Sequence, residues 1–246
     1  MTADPFAAVA ALEGVGAAAA HARDAVDSLL RHPAMRRGSG AVAAESALRG
    51  ARASALLDGA DGRVEDPADD PVLQGALRAT AEVPALARTW ERAPAQALAR
   101  LHLLAARDLP GLDAEELGRP RPDADSDRLA QLMGLVAAPS RAPAVVVAAL
   151  VHGDLLAMRP FGSADGVVAR AAERLVLVVR GIDTKAVGVP EVGHLTAGPT
   201  YATAARAYTA GTPAGVGTWV RHCCDAYARG AEEGLAICAE QGAPGR

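Results

Sequence analysis

MRPFGSADGVVARAAERL, residues 158–175, decides the fold. Pro160 closes the apolar run before it, because proline has no N–H for the helix ladder and holds Arg159 out of helical space. Residues 162–166 (GSADG) form a small, turn-prone loop. From Val167 a second apolar helix begins, with Ser163 or Asp165 as N-cap. The stretch is therefore helix, tight corner, helix. Free backbone N–H groups and the positive end of the helix dipole converge at such a corner, so it can hold an anion. Most corners of this kind do no more than join two packed helices.

The rest of the chain is read the same way. The valine clusters 145–147 and 176–179 sit inside long stretches flanked by Ala, Leu and Arg, which have helical rather than strand length. Helices are expected over 5–20, 22–31, 42–57, 71–92 with a break at Pro84, 95–107, 126–137, 144–157, 166–180, 199–210 and 216–241. An all-α class follows, with residues 1–246 read as a single helical domain. Half of the 246 residues are hydrophobic and only 3% aromatic, so the core is built from Ala, Leu and Val, which favours closely packed helices. Two polar stretches, 58–70 (DGADGRVEDPADD) and 117–126 (LGRPRPDADS), read as solvated loops.

Composition also narrows the partners. A net charge of −4, a pI near 5.9 and the lack of a basic stripe exclude a nucleic-acid binder. The apolar runs are too short to span a bilayer, and the first residues, MTADPFAAVAALEG, lack the charged start and apolar core of a signal peptide. A cytoplasmic protein is expected. His222-Cys223-Cys224 and Cys238 offer no metal-ligand spacing in sequence, so the three thiols are expected to be buried and structural.

The 158–175 stretch resembles the core motif of Fic-domain proteins, His-Pro-Phe-x-(Asp/Glu)-Gly-Asn-Gly-Arg-x-x-Arg. Pro160, Phe161, Gly166 and Arg170 stand at matching positions. Upstream, VVVAALVHGDLLA (145–157) is similar to the family's core helix. LARLHLL (98–104), followed by Leu117-Gly118-Arg119, is similar to its earlier helix and the Gly-x-x-Arg after it. RASALLDG (52–59) is similar to the family's regulatory helix, Ser-x-x-x-Glu-Gly, with Ser54, Asp58 and Gly59 in register. The resemblance covers about residues 45–182; the regulatory-type helix takes 42–59, and the C-terminal helices 199–241 are unmatched. It implies a Fic-like helical bundle, and in active relatives AMP transfer from ATP to a protein hydroxyl. There the motif His is general base, the acidic residue holds Mg²⁺, the Gly-rich loop cradles the phosphates, and the regulatory acid pairs with the last Arg.

Departures from that pattern set the functional expectation. Arg159 stands at the base position, and a guanidinium stays protonated at any working pH. Loss of a general base alone removes about 10²–10⁴-fold in rate. Ser163 replaces the metal-binding acid, Ala164 a glycine, Asp165 the asparagine and Val167 the first arginine. Asp165 is the remaining candidate metal ligand, two residues late. Between Gly118 and the core helix no alternating strand pattern appears, so the family's target-docking flap hairpin is expected to be missing. The expected protein lacks ordinary adenylylation and binds a nucleotide, a phosphorylated ligand or a protein partner. Two alternatives are altered nucleotidyl or phosphoryl transfer through Asp165 and Arg159, with Mg²⁺–ATP, and a purely structural module. Anion-binding candidates are Arg159, Ser163, Asp165, Gly166 and Arg170. Asp58 and Arg170, with Ser54, are expected to form an ion pair between two helices. His152 is read as a core histidine bonded to backbone. Trp90, Trp219, Tyr201 and Tyr208 are read as packing residues, and a homodimer is the expected form of self-association.

Overall fold

A computed structural model describes residues 4–61 and 70–242. Among them every regular element is a helix: α1 (Pro5–Ala10), α2 (Val15–Arg31), α3 (Ala34–Arg37), α4 (Ser39–Leu57), α5 (Pro71–Arg92), α6 (Pro94–Ala106), α7 (Ser126–Ala137), α8 (Ala144–Met158), α9 (Asp165–Val179), α10 (Pro190–Thr196), α11 (Pro199–Thr209) and α12 (Pro213–Gly242). No strand occurs among the described residues, and residues 107–125 form turns without a hairpin. None of these helices is long and apolar enough to cross a membrane.

The α8–α9 pair is the axle of the bundle. Residues 145–153 of α8 and 167–177 of α9 are buried without interruption, so both helices are enclosed on all faces rather than along one stripe. Helices α12, α11, α7, α2 and α1 pack on α8, while α5, α6 and α4 pack on α9. The corner between the two axial helices therefore opens where α4 and α6 end.

Small residues set the spacing. A Cβ on Gly75 would lie 2.0 Å from the Ala105 carbonyl oxygen, and one on Gly193 would lie 2.0 Å from that of Ala226. The α5–α6 and α10–α12 contacts are thus backbone to backbone, as expected of a core poor in aromatics.

Several boundaries differ from the sequence reading. The first expected helix divides at 11–14, because Gly14 takes a left-handed conformation (φ 74°) that stops one helix and starts the next. Residues 22–31 join α2 as a consequence. Helix α5 runs unbroken through Pro84. Pro84 is exposed, so its ring presses on no packed helix and the ladder loses one bond without ending. Helices α3 and α10 were not anticipated. Each is seven residues or fewer, too short to show a period. Most of the acidic stretch 58–70 lies outside the described residues.

Candidate functional site

The corner is an over-determined loop. Arg159 closes α8 with φ 46° and Ala164 precedes α9 with φ 49°, both left-handed and non-glycine. Each costs about 1–2 kcal/mol, so the surroundings must hold them. Asp165 Oδ1 accepts the Phe161 N–H at 3.0 Å. The Arg121 N–H donates to the Pro160 carbonyl (2.9 Å) and Arg121 Nε to the Arg159 carbonyl (3.1 Å). Phe161 stacks on His102 with ring centroids 4.1 Å apart. Arg121, in the stretch of chain where the flap hairpin is expected to be missing, thus buttresses the corner.

The Val167 N–H at the N-terminus of α9 is already taken. Asp58, at the C-cap of α4, places Oδ2 3.0 Å from the Val167 N–H and Oδ1 2.7 Å from Arg170 Nη2. A Cβ on Gly166 would stand 2.1 Å from that carboxylate, so only glycine admits it. Arg170 is 1% exposed. Its Nε donates to Ser54 Oγ (2.9 Å), Nη2 also to the Ser54 carbonyl (2.9 Å), and Nη1 to Tyr201 Oη (3.2 Å). A carboxylate at a helix N-terminus is favourable for the reason that a phosphate there would be.

A cavity of about 550 Å³ opens over the corner. Leu57, Val72, Ala105, Leu109, Leu156 and Val167 make its apolar wall. Asp58, Arg159, Ser163, Asp165 and Gly166 line the polar side. Arg159 reaches outward, its side chain 68% exposed and its Nε 4.0 Å from Asp165 Oδ2. Asp165 is turned into the loop. Its Oδ2 is buried without a hydrogen bond, and burial raises its pKa against the pull of the Phe161 and Gly162 N–H groups and of Arg159.

Ser163 sits 3.0 Å from His102 Nε2, which has the outline of a nucleophile–base pair. The far side of the ring decides otherwise. His102 Nδ1 accepts the Gly118 N–H at 2.9 Å, so the neutral ring carries its proton on Nε2 and donates to Ser163 Oγ. This histidine positions the hydroxyl and does not activate it. Burial pushes His102 down to about 4, so the folded state resists protonation while the unfolded chain takes a proton near 6.5. Stability is then complete above pH 6.5 and is lost as pH falls towards 4, by about 1–3 kcal/mol from this residue. Urea titrations between pH 7.5 and 4 check it: His102→Gln removes that part of the slope.

A second polar cluster lies deeper, between α8, α9, α10 and α12. His152 does not bond to backbone as expected, because a buried hydroxyl and a buried carboxylate stand within reach of its two ring nitrogens. Its Nε2 lies 2.9 Å from Tyr201 Oη and its Nδ1 2.9 Å from Glu173 Oε2. His194 Nε2 is 3.1 Å from the same oxygen, and His194 Nδ1 is 3.1 Å from His222 Nε2. Tyr201 joins this cluster to Arg170, so it is more than packing. Asp154 sits apart, paired with Arg128 of α7 at 2.6 Å. Glu173 went unmarked in the sequence, where His194 and His222 share no spacing that would join them. The available signal was the i, i+3, i+4 spacing of Arg170, Glu173 and Arg174 within a helix otherwise apolar on all sides.

No family model matches the chain, and no curated protein does either. Among solved structures, Fic-1 (residues 134–508) from C. elegans superposes with a TM-score of 0.64, covering 92% of this chain and 73% of that one at 14% identity. That superposition gives the chain an all-α, Fic-like fold.

Proposed function

We propose that this Fic-fold chain is a ligand-binding module rather than an AMP transferase, and that its seat for a phosphate-bearing ligand is held shut by its own Asp58. The observation that carries this is the Asp58 carboxylate bridging the Val167 N–H and Arg170. Those are the donors a nucleotide phosphate would use at the start of α9. The cavity beside them is large enough for a small ligand, and its apolar wall suits a ring system.

The same corner gives transfer chemistry no support. Arg159 cannot accept a proton from an incoming hydroxyl. Ser163 already accepts from His102, and Asp165 spends one oxygen on the loop. The carboxylates of Asp58 and Asp165 repel a free anion while Asp58 stays in place.

Thermal shift with ATP, ADP and inorganic phosphate, with and without Mg²⁺, tests this. Wild type is expected to be unmoved at millimolar nucleotide. Asp58→Ala, with the seat vacated, is expected to gain several degrees with ADP or phosphate, since ligand that binds only the folded state raises its stability. Neither gain should need Mg²⁺. A variant indifferent to all three, or wild type that attaches AMP to itself or to another polypeptide, overturns the proposal.

A further inference from the structure

The deeper cluster has the composition of a metal centre, on residues that the motif cleft does not use. Glu173 (α9), His152 (α8), His194 (α10) and Cys223 (α12) each present one ligand atom, and the four atoms lie within 4.8 Å of one another. All four side chains are buried; His152 and His194 are 0% exposed, Glu173 and Cys223 2%. We propose that these four residues form a closed, buried site for one divalent transition-metal ion of the zinc class, tying four helices together.

Three features support a cation there. The first is an unaligned donor. His152 Nδ1 is fully buried and points at Glu173 Oε2 from 2.9 Å, yet it has no hydrogen-bond partner in line. A metal seated between them would use that lone pair directly. The second is the order around the rings. Each histidine's other nitrogen has a partner, His152 Nε2 the Tyr201 hydroxyl and His194 Nδ1 the ring of His222. Metal-ligating histidines are held in this way, with the far nitrogen bonded and the tautomer fixed.

The third is charge. Glu173 is a buried carboxylate whose nearest side-chain partners are the imidazoles of His152 and His194. The nearby Arg170 already serves Asp58, Ser54 and Tyr201. A divalent ion with one carboxylate, one thiolate and two neutral imidazoles leaves no net charge in the interior. Binding converts the Cys223 thiol to a thiolate, with its proton released to solvent.

Ligand identity selects the metal. Two nitrogens, one oxygen and one sulfur suit zinc, and also cobalt as its spectroscopic stand-in, in four-coordinate geometry. Bonds of about 2.0–2.3 Å place ligand atoms about 3.3–3.8 Å apart in a tetrahedron. The two short contacts at 2.9 and 3.1 Å would open slightly and the thiol would close in. With four protein ligands and no exposed position, the site is structural and not catalytic. Cys223 therefore differs in role from Cys224 and Cys238, although in sequence all three read as plain core thiols.

The test uses the full chain, treated with chelator and checked for cooperative unfolding before use. Titrated Co²⁺ is expected to bind at one equivalent, with visible bands of tetrahedral intensity and a near-ultraviolet thiolate-to-cobalt band. One equivalent of Zn²⁺ should displace it and raise the melting temperature. Cys223→Ser is expected to lose the thiolate band, while Cys224→Ser keeps it. His194→Gln should lose tetrahedral binding. Because the main reading is taken on wild type, a variant that fails to fold leaves the test standing. Folded wild type that shows no cobalt bands and no stoichiometric zinc overturns the site, as does a thiolate band that survives Cys223→Ser.

Discussion

Asp58→Ala lowers the free energy of unfolding by about 3 kcal/mol, and for a chain of this size the melting temperature falls by about 6–12 °C. The magnitude comes from what is left behind. Arg170 is 1% exposed and cannot shed its charge. In the variant it keeps Ser54 and Tyr201 but faces no counter-charge. The Val167 N–H at the head of α9 is orphaned as well. Asp58 itself is 21% exposed on its side chain, which places the cost near the lower end of the range for breaking a buried pair. Asp58→Asn separates the contributions, because an amide oxygen still caps Val167 without supplying charge; it should cost about half as much. A loss within 0.5 kcal/mol, the scale of a surface substitution, would mean that the bridge carries no stability. Inorganic phosphate adds a separate reading on the same variant: a gain beyond that of wild type at the same concentration marks an anion in the vacated seat, since general salt exclusion stabilises both proteins alike.

How much of this was legible beforehand depends on how far apart in the chain the partners lie. The α8–α9 corner was legible because Pro160, the small loop and the next helix are contiguous. The register of Ser54 and Asp58 against Arg170 was legible only by way of a resemblance, since nothing in periodicity joins residues 116 and 112 positions apart. Glu173 and Arg174 stayed hidden for a different reason. On an ordinary amphipathic helix, charges at such spacing mark the solvated face. Here α9 is enclosed on all sides, and those charges meet partners from α10: Glu173 meets His194, and Arg174 meets Glu191 at 3.1 Å. Helix α10 could not be anticipated from seven residues, so the burial of its partners could not be either. The hydrogen-bond tautomer at His102 was beyond reach for the same cause. His102 was visible, but the Gly118 N–H that fixes its proton is placed by a turn.

Gly193→Ala costs at least about 3 kcal/mol, through one added methyl group. The new carbon would stand 2.0 Å from the Ala226 carbonyl oxygen and 2.6 Å from its carbonyl carbon. Both belong to the backbone of α12, so no side-chain rotation relieves the overlap; α10 must move away as a unit. Two buried anchors resist that movement. Glu191 is paired with Arg174, and His194 is bonded to both Glu173 and His222. Helix α10 is held by polar contacts at both ends and by close backbone approach at its middle, and the three requirements share one geometry. The same substitution at Gly134, inside α7, provides the contrast. Gly134 is exposed and a Cβ there meets nothing within 4 Å. Alanine then gains helix propensity and removes freedom from the unfolded chain, so Gly134→Ala should stabilise by about 0.5–1 kcal/mol. Urea unfolding of both variants compares them directly. Opposite signs from an identical chemical change would place the cost in the α10–α12 contact. A shift at Gly193 no larger than 0.5 kcal/mol would mean that the two helices do not meet backbone to backbone.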